Sequence, residues 1–318
     1  MPISYSKEET DVGIFIKISA PESLSYSDFP EQTIQFYNLA ENFLANDSNI
    51  IYDLSNVDSI DPASIGILIS QLKSPNINNG RICQVEFPKN DIPKRALKTW
   101  TIFKAVKDTY RNDIKDNNQS INKVSSIKVG NVIAKNICTY ISNYLYGEVI
   151  KLKPLYEILI ECMANTNDHA SVGSSFQYEW WLFTHINESS GTISLIFLDL
   201  GVGVFKSLPV KQHITENNYN TFNIPIVTKI QKNERSKESN KVFNALISGD
   251  ICSRTGKKER GKGIPLIERH SKNKIFSDFK IISNDVYIDL KTNNISNMSE
   301  NFSGTVIVLE LKKEGYDD

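Results

Sequence analysis

Between Gly13 and Phe87 the apolar pattern switches back and forth between the period of a strand and the period of a helix. Few architectures accept that. Gly13 to Ser19 alternates apolar and polar residues, and Ile50-Ile-Tyr-Asp-Leu54 reads as a buried strand. Between them, Pro30 to Asn46 places Ile34, Tyr37, Leu39 and Phe43 near helical spacing. Asp58-Ser-Ile-Asp61 leads into Pro62 to Lys73, where a proline suited to a first helical turn precedes Ile65, Ile67, Leu68 and Leu72. Another strand is predicted from Ile82 to Phe87. The alternation predicts a small α/β domain over residues 1–111. Residues 112–126 are rich in Asp, Asn, Lys and Ser without an apolar period, and are read as a linker.

The second domain, residues 127–318, opens with helices predicted over Val129 to Tyr146 and Pro154 to His169. Strands over Phe176 to Thr184 and Thr192 to Leu198 are joined by a turn at Glu188-Ser-Ser-Gly191. The polar stretch 204–260, with Lys and Asn in excess, has the length of an active-site lid. Beyond it a helix is predicted over Ile264 to His270, and strands over Phe279 to Ile282, Val286 to Leu290 and Thr305 to Leu311.

Bulk properties exclude some classes. The 36 basic and 37 acidic residues nearly cancel, so no overall field directs the chain toward nucleic acid or an anionic membrane. Cys83, Cys138, Cys162 and Cys252 lack metal-ligand spacing, as expected of reduced thiols. No apolar run is long enough to span a bilayer and the start carries no basic region followed by an apolar core, so a cytoplasmic location is expected.

Three segments carry chemistry. On an ideal helix Glu161, Asn165 and Asp168 share one face, while Leu155, Leu159, Met163 and Thr166 fall largely on the other. A carboxylate one turn from an amide oxygen suits phosphate chemistry: the first can deprotonate an attacking hydroxyl, the second can hold Mg²⁺. Asp199 closes the strand Ile193 to Leu198 just ahead of Gly201 and Gly203, which allow a tight turn and close backbone approach to a ligand. A buried acceptor there suits an exocyclic amine such as adenine's. Thr255 to Gly263 is cationic through Arg260, Lys262 and their neighbours, and amides around Gly261 and Gly263 ahead of a helix can cradle phosphates. A Walker A loop is not formed, because Gly263 stands where its Ser or Thr is needed. A dinucleotide fingerprint fails as well, with Lys206 in place of its third glycine.

These segments, Glu161-Cys-Met-Ala-Asn165, Asp199-Leu-Gly201-Val-Gly203 and Gly261-Lys-Gly263-Ile-Pro-Leu, resemble the N, G1 and G2 boxes of the GHKL ATPase family, shared by gyrase, MutL-type repair proteins, histidine kinases and anti-sigma factor kinases. The resemblance spans roughly Val129 to Lys312, with Asp168-His-Ala170 close to the anti-sigma version and Gly304-Thr305 opening the last strand. It implies a two-layer α/β sandwich of the Bergerat type that binds ATP and Mg²⁺. Glu161 is then the general base, Asn165 the Mg²⁺ ligand and Asp199 the adenine acceptor. Gly201 and Gly203 become turn residues, and Gly261 and Gly263 line the phosphate loop, with Thr305 assisting adenine recognition. Asp168, Arg260 and Lys262 fall within the matched or flanking segments and are expected at the nucleotide.

The first domain is similar to STAS domains of the anti-sigma antagonist type through Ile50 to Asp61 and Ser64-Ile-Gly66-Ile-Leu68. Those antagonists carry a phosphorylated serine directly after the aspartate, and Pro62 stands there, with Ser59 and Ser64 nearby.

Two functions follow from these resemblances. One is an enzyme that hydrolyses ATP or transfers its γ-phosphate to a protein, as the anti-sigma factor serine/threonine kinases do. The other is an ATP-gated protein-binding switch without required turnover. A nucleic-acid-associated ATPase rests only on the basic stretch before Gly263. A protein partner docking on the N-terminal domain or the lid is expected, and homodimerisation stays open.

Overall fold

Asp61 shows how the first half of the chain is pinned together. One carboxylate oxygen caps helix α2 (Pro62–Lys73) by accepting from the Ser64 amide at 2.7 Å, while the other accepts from the amides of Tyr26 and Ser27 and the hydroxyl of Ser25. Pro62 in the first turn needs no amide partner, so α2 starts where its sequence says it should.

The computed structural model describes residues 3–99, 123–126, 128–170, 178–207 and 263–313. In chain order the amino-terminal elements are β1 (Tyr5–Thr10), β2 (Gly13–Ser19), β3 (Ser23–Leu24), α1 (Pro30–Ala45), β4 (Asn49–Asp53), β5 (Ser59–Ile60), α2 (Pro62–Lys73), α3 (Pro75–Asn78), β6 (Cys83–Glu86) and α4 (Asp91–Thr99). There follow β7 (Lys123–Ser126), α5 (Asn131–Tyr146), α6 (Lys153–His169), β8 (Trp180–Asn187), β9 (Thr192–Asp199), α7 (Val204–Ser207), α8 (Gly263–Ser271), β10 (Phe276–Asp289) and β11 (Asn294–Leu311). The chain is therefore of mixed α/β class.

The first sheet runs β1-β2-β4-β6, with β1 antiparallel to β2 and the other neighbours parallel. The second runs β10-β11-β9-β8-β7 and is antiparallel throughout. Its pleat divides two cores. Trp180, Leu182, Leu195, Phe197, Ile307 and Leu309 face α5 and α6. The residues between them, Trp181, Phe183, Ile196, Leu198 and Val306, join a core built from α1, α2 and the first sheet. Both faces of β9 are thus covered, which is why Ile193 to Leu198 is nearly all apolar.

Helices α1 and α2 fill the space between the two sheets. Every residue of α2 from Ala63 to Leu72 is buried, as a helix enclosed on all sides requires. It meets the first sheet through Gln71, whose side-chain oxygen accepts from Tyr52 Oη at 3.1 Å, and the second through Gly66. A Cβ on Gly66 would lie 3.0 Å from the Phe183 ring, so the missing side chain lets α2 seat directly on β8.

Several expectations need correction. Residues 123–126, assigned to the linker, form β7, an edge strand held by backbone pairing with β8, which no apolar period could announce. The two strands read as Phe279 to Ile282 and Val286 to Leu290 are one strand, β10, interrupted only by register shifts around Asn284. Gly304 and Thr305 do not open the last strand: β11 starts at Asn294, because its polar first half lies against α1. There Asn301 O accepts from Asn38 Nδ2 at 2.8 Å, and Ser299 donates to the Glu31 carboxylate. Strand β1 and helix α4 were not expected. Ser64 is fully buried, whereas Ser59 is exposed and bonded to Ser23 Oγ.

Candidate functional site

Helix α6 presents Glu161 and Asn165 one turn apart toward the start of α8. A Cβ placed on Gly263 would lie 2.8 Å from Glu161 Oε2 and 3.4 Å from both terminal atoms of the Asn165 amide. A side chain there would have to push the Glu161 carboxylate aside. The far end of α8 is tied to the same helix: His270 Nε2 lies 2.5 Å from Glu157 Oε2, one turn before Glu161. Burial raises the Glu161 carboxyl above its ordinary value, and the neighbouring Glu157 charge adds to the shift. Asp168 is exposed on the last turn of α6, where its carboxylate lies 3.4 Å from Asn167 Nδ2. The structure therefore brings Glu161, Asn165 and Gly263 together and leaves Asp168 at the rim.

Asp199 ends β9 on the α5/α6 side of the sheet and is 6% exposed. Its Oδ1 accepts from the Gly201 amide at 3.0 Å. Burial pushes its carboxyl up to about 6, against the opposing pull of hydrogen bonds from Gly201, Thr305 and Thr166. Thr305 is its cross-strand neighbour on β11. Thr166 lies on the packing face of α6 and is buried, as expected; its hydroxyl donates to Cys162 O at 3.2 Å and also bears on the Asp199 carboxyl, a role the sequence reading did not assign. A threonine among leucines at helical spacing gave no sign of that.

The turn after Asp199 is closely fitted. A Cβ on Gly201 would come within 2.4 Å of Ala170 Cβ, and the Val202 amide donates to Ala170 O at 3.0 Å, so the end of α6 rests on this turn. Gly203 has φ +82 and lies against Asn284 and Gly304 O, a conformation and a space that exclude other residues. Beneath the turn sit Ser283 and Asn284, which the sequence reading left between two strands.

Arg260, Gly261 and Lys262 lie outside the described residues, as does the expected lid beyond α7 and the basic stretch before Gly263. Among the described residues no group of three or more His, Cys, Asp and Glu side chains could hold a metal. The donor set still suits magnesium bound chiefly through phosphates and water, which asks the protein for one or two oxygens, here that of Asn165. Cys83, Cys138 and Cys162 are buried thiols. Among the described residues no helix is long and apolar enough to cross a membrane.

No protein-family model matches the chain, and no curated protein matches it.

Proposed function

We propose that the chain is a regulatory protein of the GHKL type, with a STAS-like amino-terminal domain, that binds ATP and magnesium between α6, the 199–205 turn and the start of α8. It hydrolyses ATP or passes the γ-phosphate to a protein hydroxyl. The carrying observation is the approach of Gly263 to Glu161 and Asn165, with the buried acceptor Asp199 beside Thr166, the next residue of α6.

Each residue has a role that its surroundings suit. Asp199 and Thr305 receive the base, the carboxylate accepting from an exocyclic amine. The amides at the start of α8 face the phosphates, where a helix N-terminus favours negative charge. Asn165 would hold the magnesium, which when bound neutralises phosphate charge. Glu161, made more basic by burial, takes the proton from the attacking water or Ser/Thr hydroxyl at its carboxylate oxygen. Positioning supplies most of the remaining catalysis. A cytoplasmic setting, where ATP is abundant, fits this reading.

Calorimetry with ATP and MgCl₂, combined with release or transfer of labelled γ-phosphate, tests it. Asp199→Asn is expected to abolish binding, and Glu161→Ala to keep binding while losing turnover. Absence of adenine-nucleotide binding by the wild-type chain sinks the reading. Binding without turnover, with Glu161→Ala retaining full cellular function, converts it to the ATP-gated switch.

A further inference from the structure

Strand β10 breaks its register twice around Asn284, and the cause is visible in the side chain. Asn284 adopts φ +55, is 2% exposed, and turns its amide under the 199–205 segment. Its Oδ1 accepts from the Phe205 amide at 3.1 Å, and its Nδ2 donates to Val202 O at 2.9 Å. That pairing fixes which end of the amide is oxygen. The preceding residue completes the hold: Ser283 Oγ accepts from the Val204 amide at 2.8 Å, donates to Gly304 O at 2.9 Å and lies 3.2 Å from Thr305 Oγ1. Two consecutive side chains therefore bond to backbone on both sides of Gly203 and reach the strand that carries Thr305. The fit runs both ways, since a Cβ on Gly203 would lie 2.7 Å from both ends of the Asn284 amide.

A bulge that costs two ladder positions and a left-handed non-glycine residue persists where it aims a side chain. Here the target is the turn that joins the adenine acceptor to the glycine amides. The geometry points to Asn284, assisted by Ser283, as a positioning residue for purine selectivity: by fixing the 199–205 turn it sets Asp199 and Thr305 for a six-amino purine and against a six-oxo one. A carboxylate acceptor rejects guanine at this place only if it cannot move away from the opposing carbonyl. The inference rests on the nucleotide reading above and deepens it.

The experiment uses the full chain with MgCl₂ and compares ATP with GTP by calorimetry, alongside melting temperature, for wild type, Asn284→Gly, Asn284→Asp and Ser283→Ala. Glycine keeps the left-handed backbone and removes both hydrogen bonds, so it separates positioning from strain. ATP affinity is expected to fall about tenfold or more in Asn284→Gly, with the preference over GTP narrowing. Asn284→Asp, which keeps the acceptor for Phe205, is expected to recover part of both. Unchanged selectivity in folded Asn284→Gly and Ser283→Ala, or a loss of affinity that simply follows melting temperature, overturns the proposal and leaves ATP binding standing. Failure of the wild-type chain to bind either nucleotide overturns both.

Discussion

Asp199 is a charge held where water is nearly excluded, and its protein partners only partly offset that. Because its carboxyl is raised to about 6 from 3.8, the folded protein holds the proton more tightly than the unfolded chain. Stability contributed by the protonated form is therefore lost as pH rises from 3.8 to about 6 and stays lost above. A shift of this size is worth up to about 3 kcal/mol. Asp199→Asn, nearly isosteric and still able to accept from Gly201, is expected to melt higher than wild type at pH 8 and to lose that advantage near pH 4, while failing to bind ATP. Thermal melts at the two pH values check this. Gly201→Ala behaves oppositely: its methyl would meet Ala170 Cβ at 2.4 Å, so a loss of about 1 to 3 kcal/mol is expected in a denaturant titration.

At the scale of elements, α8 is held at both ends of a short span, by Gly263 at Glu161 and Asn165 and by His270 at Glu157. Glu157→Gln removes a negative charge that raises Glu161. The acid limb of the turnover profile is then expected to move to lower pH, while amide exchange in α8 quickens. A pH-rate profile and hydrogen exchange separate the two effects. Much of this layout was legible in the chain. Pro30, Pro62 and Pro154 stand at helix starts, Gly147 ends α5 at φ +78, and the spacing of Glu161 and Asn165 placed both on one helix face. What the sequence hid has specific causes. Strand β7 is short and defined by its partner, and Ser283 and Asn284 look like a break because they form a bulge rather than a loop. The first half of β11 alternates weakly, since mainly Met298 and Phe302 turn inward to the amino-terminal core. Thr166 does its work from the buried side of α6, where polarity is not expected.

For the whole molecule, one apolar core crosses from the first sheet through α1 and α2 to the second sheet. A single cooperative unfolding transition is therefore expected by calorimetry, with equal calorimetric and van't Hoff enthalpies. Gly66→Leu, which drives a side chain into Phe183, is expected to lower stability by about 1 to 3 kcal/mol and to expose both layers to exchange together. Glu41 on α1 adds a pH term. Burial raises its carboxyl to about 7, so folding weakens as pH climbs from 4.5 toward about 7, and Glu41→Gln flattens that slope.

The two directions of the β9 pleat bear on regulation. Asp199 looks toward the helices, while Leu200, the next residue, is part of the amino-terminal core. Under the proposed nucleotide reading, a partner that levered that layer off the sheet would drag Leu200 along and loosen the grip on the base. On that reading, purine occupancy and the seating of the amino-terminal layer would be, by the reciprocity of linkage, readings of the same equilibrium.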